Sequence, residues 1–456
     1  MPTAKDDGQT RDAESICPYC GVGCRLWAES VYNQIIRVKG VADAPANLGG
    51  ICAKGATLPQ VINTPDRLTQ PQIRATRNGE FRPVTWKAAL DHAVDRFQAI
   101  IDEHGPDAVA FYGSGQLDSE AVYVVGKLFK GSIGTNNTDS NSRLCMAAAV
   151  AGYRSSLGAD GPPTCYADID HADCITVWGS NMAEAHPVTF DRVRARRKAD
   201  PSVELIVVDP RRTLTAEHAT LYVPVAPGGD IPLMNAVGRL LLEQDAIDHR
   251  YIAAHTAGFD EYFHFITALN FDEMVAASGV SEALVRDLAT RIGQSKSWLT
   301  FYCMGLNQST VGMWKNNSVI NLHLLTGQIG KHGAGPFSLT GQPNAMGGRE
   351  GGLLANQLPG YRFTEDPRHR AEVEAYWNRP EGTISTTPGL TAVEMFRALE
   401  SGRLKAIWIA ATNPAVSMPD LHMVRRALAK ADLVIVQDAY HPTETTRVAD
   451  VLFPAA

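Results

Sequence analysis

The residues best suited to chemistry are cysteines. Cys17, Cys20, Cys24 and Cys52 form the pattern C-x2-C-x3-C-x27-C within ICPYCGVGC and GGICAKG. Four thiolates suit either zinc or an iron–sulfur cluster. Zinc sites often pair two short C-x2-C knuckles. Here three cysteines crowd one turn and the fourth arrives from afar, which suits the corners of a cubane. Gly21, Gly23, Gly49, Gly50 and Gly55 let the backbone approach sulfur and donate N–H groups. A [4Fe–4S] cluster is expected ahead of zinc, with a disulfide pair last. Cys145 lies in DSNSRLCMAAAVAGYRSSLG, where Asn141 or Ser142 can cap a helix and Met146–Ala151 favours one. This places Cys145 in the first helical turn, where the dipole and Arg143 favour a thiolate, a nucleophile or soft metal ligand. Cys174 and Cys303 fall in or beside apolar runs and read as core, while Cys165 stays open.

The elements that must hold these thiols read as repeated α/β units. Thr85 caps a helix with Ala89, Ala93, Phe97 and Ile101 on one face, stopped by Gly105. The strand Ala108–Tyr112 then runs into Gly113-Ser114-Gly115-Gln116. Strands at Cys174–Trp178, Glu204–Val208 and Tyr222–Val225 end in Gly179–Pro187, Asp209–Thr213 and Pro227–Asp230. Trp298–Cys303, Lys405–Ala410 and Ala431–Val436 lead to Met304–Thr310, Asn413 and Asp438. Ligands bind at the carboxyl ends of strands in open parallel sheets, and an acidic residue beyond a glycine loop holds a ribose or base. No strict G-x-G-x-x-G is present, so a nucleotide-bearing cofactor other than plain NAD is expected. Leu26–Val31 and Gln34–Val38 read as a small hairpin. Residues 326–360 form a glycine-rich stretch too long for a casual loop, and a site-lining role is expected for it. Arg349 within it is a candidate anion ligand. Residues 364–387 read as a surface excursion, and MPTAKDDGQTRDAES as a frayed tail without an export signal.

At 456 residues the chain should divide into roughly two to four domains. Lys and Arg number 42 against 49 Asp and Glu, a net charge of −7, and no basic stripe carries interleaved aromatics. Nucleic-acid binding gains no support from this. No apolar run reaches a membrane span, so no membrane association is expected and the cytoplasm is the default location. Clustered cysteines in such a compartment point to metal rather than disulfides.

The motifs ICPYCGVGC…GGICAKG, WGSNMAEAHP, VVDPRRT, MGLNQST, GQIGKHGAGPFSLTGQPNAMGGRE and QDAYHPTETT resemble the molybdenum oxidoreductases that carry bis-molybdopterin guanine dinucleotide. SRLCMAAAVAGYRSSLGADGPP and SLTGQPNAMGGRE look most like the assimilatory nitrate reductases of that group. The resemblance implies a small [4Fe–4S] domain, residues 14–66, and two Rossmann-like α/β domains with parallel sheets. These would be 67–140 with 330–456, and 141–329. The family's C-terminal barrel-like domain, which follows the FPAA segment, is expected to be absent, making the chain a fragment.

By the same match Cys145 would be the molybdenum ligand, and Met146, Met304, Asp160 and Arg349 would lie near substrate. Lys54 would stand between cluster and pterin. Gln116, Asn141, Trp178, Gly179, Ser180, Asn181, Met182, Glu184, Asp209, Arg212, Gly229, Asp230, Met304, Gln308, Asn413 and Asp438 would contact the cofactor. The implied reaction is reduction of nitrate to nitrite, with electrons from ferredoxin, flavodoxin or a flavin–NADH reductase subunit. One alternative is a formate dehydrogenase-type reaction, although those enzymes carry histidine where Met146 stands. The other is a non-catalytic iron–sulfur electron-transfer subunit.

Overall fold

A computed structural model of the protein describes residues 10–32 and 34–455. Two parallel sheets dominate it, built from the apolar runs visible in the sequence. Strands buried on both faces must be apolar throughout, as in Val109–Gly113, Cys174–Trp178 and Trp298–Tyr302, every residue of which is buried.

The first sheet has five strands. Its spatial order is Leu221–Val223, Glu204–Val208, Cys174–Trp178, Trp298–Tyr302 and Gly335–Ser338, all parallel. The second has seven. Five run parallel, in the order Val451–Pro454, Leu433–Asp438, Ala406–Ala410, Val109–Gly113 and Thr138–Ser140. Gln72–Ile73 and Arg82–Pro83 add an antiparallel edge beside Val451–Pro454. In each sheet the parallel strands deliver their carboxyl-end loops to one edge. Helices cover the faces. The helix Trp86–His104 is capped by Thr85, whose side chain accepts from Ala88 N, and ends at Gly105 with φ +83°. Its Ala89 and Ala93 face the core, as the periodicity predicts.

Four expectations change. The segment Arg11–Ile16 is no frayed tail: it pairs antiparallel with Arg25–Val31, which also pairs with Gln34–Gly40. All six of its residues are exposed, so no apolar alternation announces it. The boundary expected near 330 falls later, because Gly335–Ser338 pairs with Leu299–Tyr302 in the five-stranded sheet. The glycine-rich stretch is not continuous loop, since it contains that strand and the short helix Ala345–Glu350. The expected excursion at 364–387 holds a helix, Pro367–Tyr376, whose buried Glu374 accepts from Gly382 N and Ile384 N.

Candidate functional site

The four N-terminal cysteines share one small core with Val22, Leu26, Leu58 and Val188. Burial pushes the thiols of Cys17, Cys20 and Cys24 up, that of Cys24 to about 12. The charges of the neighbouring cysteines add to the rise, while backbone hydrogen bonds oppose it and, for Cys17 and Cys20, so does the positive charge of Lys54. Four thiolates this close therefore need a cationic core to hold them ionised. Among the described residues no three His, Cys, Asp or Glu side chains are arranged to hold a metal ion. The four thiols thus share one small core without converging into a ready metal cage.

One tie of the cluster loop to the rest of the molecule runs through the turn at residues 340–341. Gly21 N donates to Gly341 O at 3.1 Å, and His186 Nε2 lies 2.8 Å from Thr340 O. A carbonyl only accepts, so Nε2 carries the proton, and the buried Nδ1 is left without a partner. On its other side the turn meets Cys145: a Cβ built at Gly341 would stand 3.5 Å from Sγ. Asn344 N then donates to Gly115 O at 2.8 Å, which reaches the seven-stranded sheet. Residues 339–345 thus touch the cluster loop, Cys145 and loops of both sheets.

Cys145 is not in a helical turn. Ser140 caps a tight 3-10 turn over Asn141–Leu144, and the α-helix begins only at Ala147. Asn141 is occupied elsewhere, accepting from Gly115 N and donating to Ser114 Oγ and Thr412 Oγ1. Arg143 is held by Asp139, at 3.0 Å, so the cation acting on Cys145 is Arg349. Burial raises the Cys145 thiol, against a hydrogen bond from the Gly341 backbone and the Arg349 charge.

Arg349 lines a small cavity, about 20 Å³, with Met146, Asp160, Tyr153, Ser338 and Thr340. Its Nε donates to Asp160 Oδ2 at 2.7 Å and its Nη1 to Ala345 O at 3.3 Å. Met146 is fixed by Asn307, whose Nδ2 donates to Sδ at 3.0 Å and to Ser338 Oγ at 3.1 Å. Met304 stands apart: it is 48% exposed and does not line this cavity. The Arg349 and Asp160 side chains are only 6% and 7% exposed, so removing one strands the other's charge. Asp160→Ala is expected to lower the unfolding free energy by about 3 kcal/mol in denaturant titration, and a loss below about 1 kcal/mol would contradict a desolvated pair.

The strand-end loops fall into two groups. In the five-stranded sheet Gly179, φ +53°, packs on Gly305, where any Cβ would meet backbone at 2.8 Å. Lys315 Nζ lies 2.7 Å from Asp230 and 3.2 Å from Gly305 O, so it joins two of these loops. Asp209 is pushed up by burial, with Asp230 adding to the rise. Asn181 accepts from Thr215 and donates to Glu184, whose carbonyl accepts from Lys54 Nζ at 3.3 Å. Gly229 precedes the helix that opens with Asp230, and Arg212 and Gln308 are exposed on their loops. Met182 differs from expectation: it is fully buried in the core beneath the sheet, leaving no side chain for a ligand.

In the seven-stranded sheet Gln116 Nε2 donates to Pro18 O beside the cluster loop. Asn413 joins Thr445 and Glu444, and Asp438, raised by burial, accepts from Ala439 N and Tyr440 N.

The sequence reading missed Lys315, Asn307 and Asn316. The last donates to Asn307 Oδ1 at 2.9 Å. A signal existed for Lys315, which shares a helix face with buried Val319, Leu322 and His323, where a solvated lysine has no place. Trp178 Nε1, Ser180 Oγ and His186 Nδ1 are buried without partners near the carboxyl end of the five-stranded sheet. Buried polar atoms of this kind need a partner, and a polar cofactor laid over these loops would supply one. Lys315→Met is expected to destabilise the chain by about 3 kcal/mol, because Asp230 is left buried and unpaired, and a loss below about 1 kcal/mol would contradict it.

Comparison with known proteins identifies the family. The molybdopterin oxidoreductase family matches residues 67–456, and the molybdopterin oxidoreductase Fe4S4 domain matches residues 11–64. A nitrate reductase of Synechocystis is 45% identical over 97% of this chain and 63% of its own length. One from Symbiobacterium thermophilum is 42% identical, covering 97% and 60%. A periplasmic nitrate reductase of Desulfovibrio desulfuricans is 39% identical over 100% of the chain and 62% of its own length. The chain therefore spans about three-fifths of the length of these relatives. Acetylene hydratase from Pelobacter acetylenicus superposes with a TM-score of 0.78 at 18% identity, over 97% of this chain and 62% of that one, and so shares the fold. With an iron–sulfur domain followed by two α/β sheets and both family matches in register, the chain belongs to the molybdopterin oxidoreductase family.

Proposed function

We propose that the full-length protein reduces nitrate to nitrite at a molybdenum bis-molybdopterin guanine dinucleotide centre, fed by one [4Fe–4S] cluster. The observation that carries this reading is Arg349, whose charge acts on the Cys145 thiol and whose side chain lines a cavity walled by Met146. When bound, the cofactor supplies a soft metal able to exchange an oxygen atom and two electrons.

The protein's own residues do the rest. Cys145 would hold the metal through Sγ. Asp160 aims the Arg349 guanidinium, whose remaining N–H groups neutralise a flat trigonal anion. Asn307 pins the Met146 thioether as a dry, weakly coordinating wall. The paired loops of the five-stranded sheet, with Asp209, Asp230 and Lys315, and those of the seven-stranded sheet, with Asn413 and Asp438, would each hold a nucleotide. Cys17, Cys20, Cys24 and Cys52 would hold the cluster. Lys54, bonded to Glu184 O, would keep a positive charge between the cluster and the pterin.

Electrons would come from a soluble donor, a ferredoxin, flavodoxin or flavin–NADH subunit. No helix among the described residues is long and apolar enough to cross a membrane. Full-length protein with reduced viologen as donor should form nitrite from nitrate and oxidise formate far more slowly. Faster formate oxidation would favour the formate dehydrogenase reading. Neither activity in cofactor-loaded protein would favour an electron-transfer subunit.

A further inference from the structure

Lys130 is fully buried, at the turn Phe129–Ile133 that ends the helix Ser119–Leu128. Its Nζ donates to three carbonyl oxygens, of Gly352 at 2.8 Å, Leu354 at 2.8 Å and Gln357 at 2.5 Å. These carbonyls belong to the turn that directly follows Ala345–Glu350, the helix carrying Arg349. The same turn is gripped from the Cys145 side, where Arg143 Nη2 donates to Asn356 Oδ1 at 3.4 Å while paired with Asp139. Lys130 crosses from one segment to another and uses its donors on backbone alone.

We propose that Lys130 is a positioning residue of the anion site, fixing the 352–357 turn and thereby the place of Arg349 relative to Cys145. The proposal rests on the reading that Arg349 receives the substrate anion. An ammonium offers three N–H donors, one for each carbonyl, whereas a neutral amine offers two and leaves a carbonyl unpaired. Burial lowers the lysine to about 7, with Asp139 opposing and Arg143 adding to the fall. Those are the charged groups acting on it, so the clamp should slacken as pH rises through neutrality.

The test uses full-length, cofactor-loaded enzyme. In the wild type, KM for nitrate should rise several-fold between about pH 6 and about pH 8.5. Lys130→Met should raise KM about tenfold at the lower pH, keep kcat within about threefold, and lose that rise. Amide hydrogen exchange of residues 352–358, corrected for intrinsic rates, gives a readout independent of activity. Protection should fall across the same range in the wild type and be low at every pH in Lys130→Met. Unchanged exchange in the variant, or a pH-dependent KM that survives it, overturns the proposal. Should the variant not fold, exchange that stays pH-independent in the wild type overturns it equally. If the wild type does not reduce nitrate, the functional reading fails, while exchange still decides the clamp.

Discussion

Cys145→Ala in the full-length enzyme is expected to cut nitrate reduction by about a thousandfold or more, equivalent to about 4 kcal/mol or beyond. The thiol is 7% exposed and faces the Gly341 turn, which is bonded to the cluster loop. Its burial disfavours a free thiolate, so the thiolate form depends on a cation, and a bound metal is the strongest one. Loss of one small side chain costs on the order of 1 kcal/mol, so the variant should unfold near the wild-type denaturant midpoint. An inactive but stable variant is the signature of ligation. Full activity in Cys145→Ala would remove Cys145 from the metal.

Arg349→Lys is expected to raise KM for nitrate about tenfold or more, which is about 1.4 kcal/mol, with a smaller change in kcat. The guanidinium divides its labour, with Nε on Asp160, Nη1 on Ala345 O, and the remaining N–H groups available to the cavity. Lysine offers a single point of charge, and the buried Asp160 carboxylate would capture it. Anion binding then loses both neutralisation and planar alignment. An unchanged KM would show that nitrate is gripped elsewhere.

The sequence disclosed those features whose physical cause is local. Cys17, Cys20, Cys24 and Cys52 are legible because ligand spacing is itself the signal. The buried strands are legible because a strand covered on both faces must be apolar, as Trp298–Tyr302 is. What stayed hidden depends on partners distant in the chain. Arg349 reads as an anion ligand, but its tie to Asp160, 189 residues away, follows only from the fold. The clamp of Lys130 on carbonyls more than 220 positions away is of the same kind. Asn141 looked like a cap and was not, because Gly115, Ser114 and Thr412 claim its amide. Met182 and Met304 had equal claims as ligand contacts, yet one lies in the core and the other stands outside the cavity. Side-chain type does not distinguish these fates, while burial does.

The proposed full-length enzyme would carry one cubane cluster and one molybdenum with two guanine dinucleotides. Metal and nucleotide content of the full-length protein, purified without oxygen, tests this most directly. The account predicts about four iron atoms, about one molybdenum and about two guanine nucleotides per chain, with the iron lost in Cys20→Ser and the molybdenum lost or displaced in Cys145→Ala. Zinc in place of iron, or iron without molybdenum and guanine nucleotide, would contradict it.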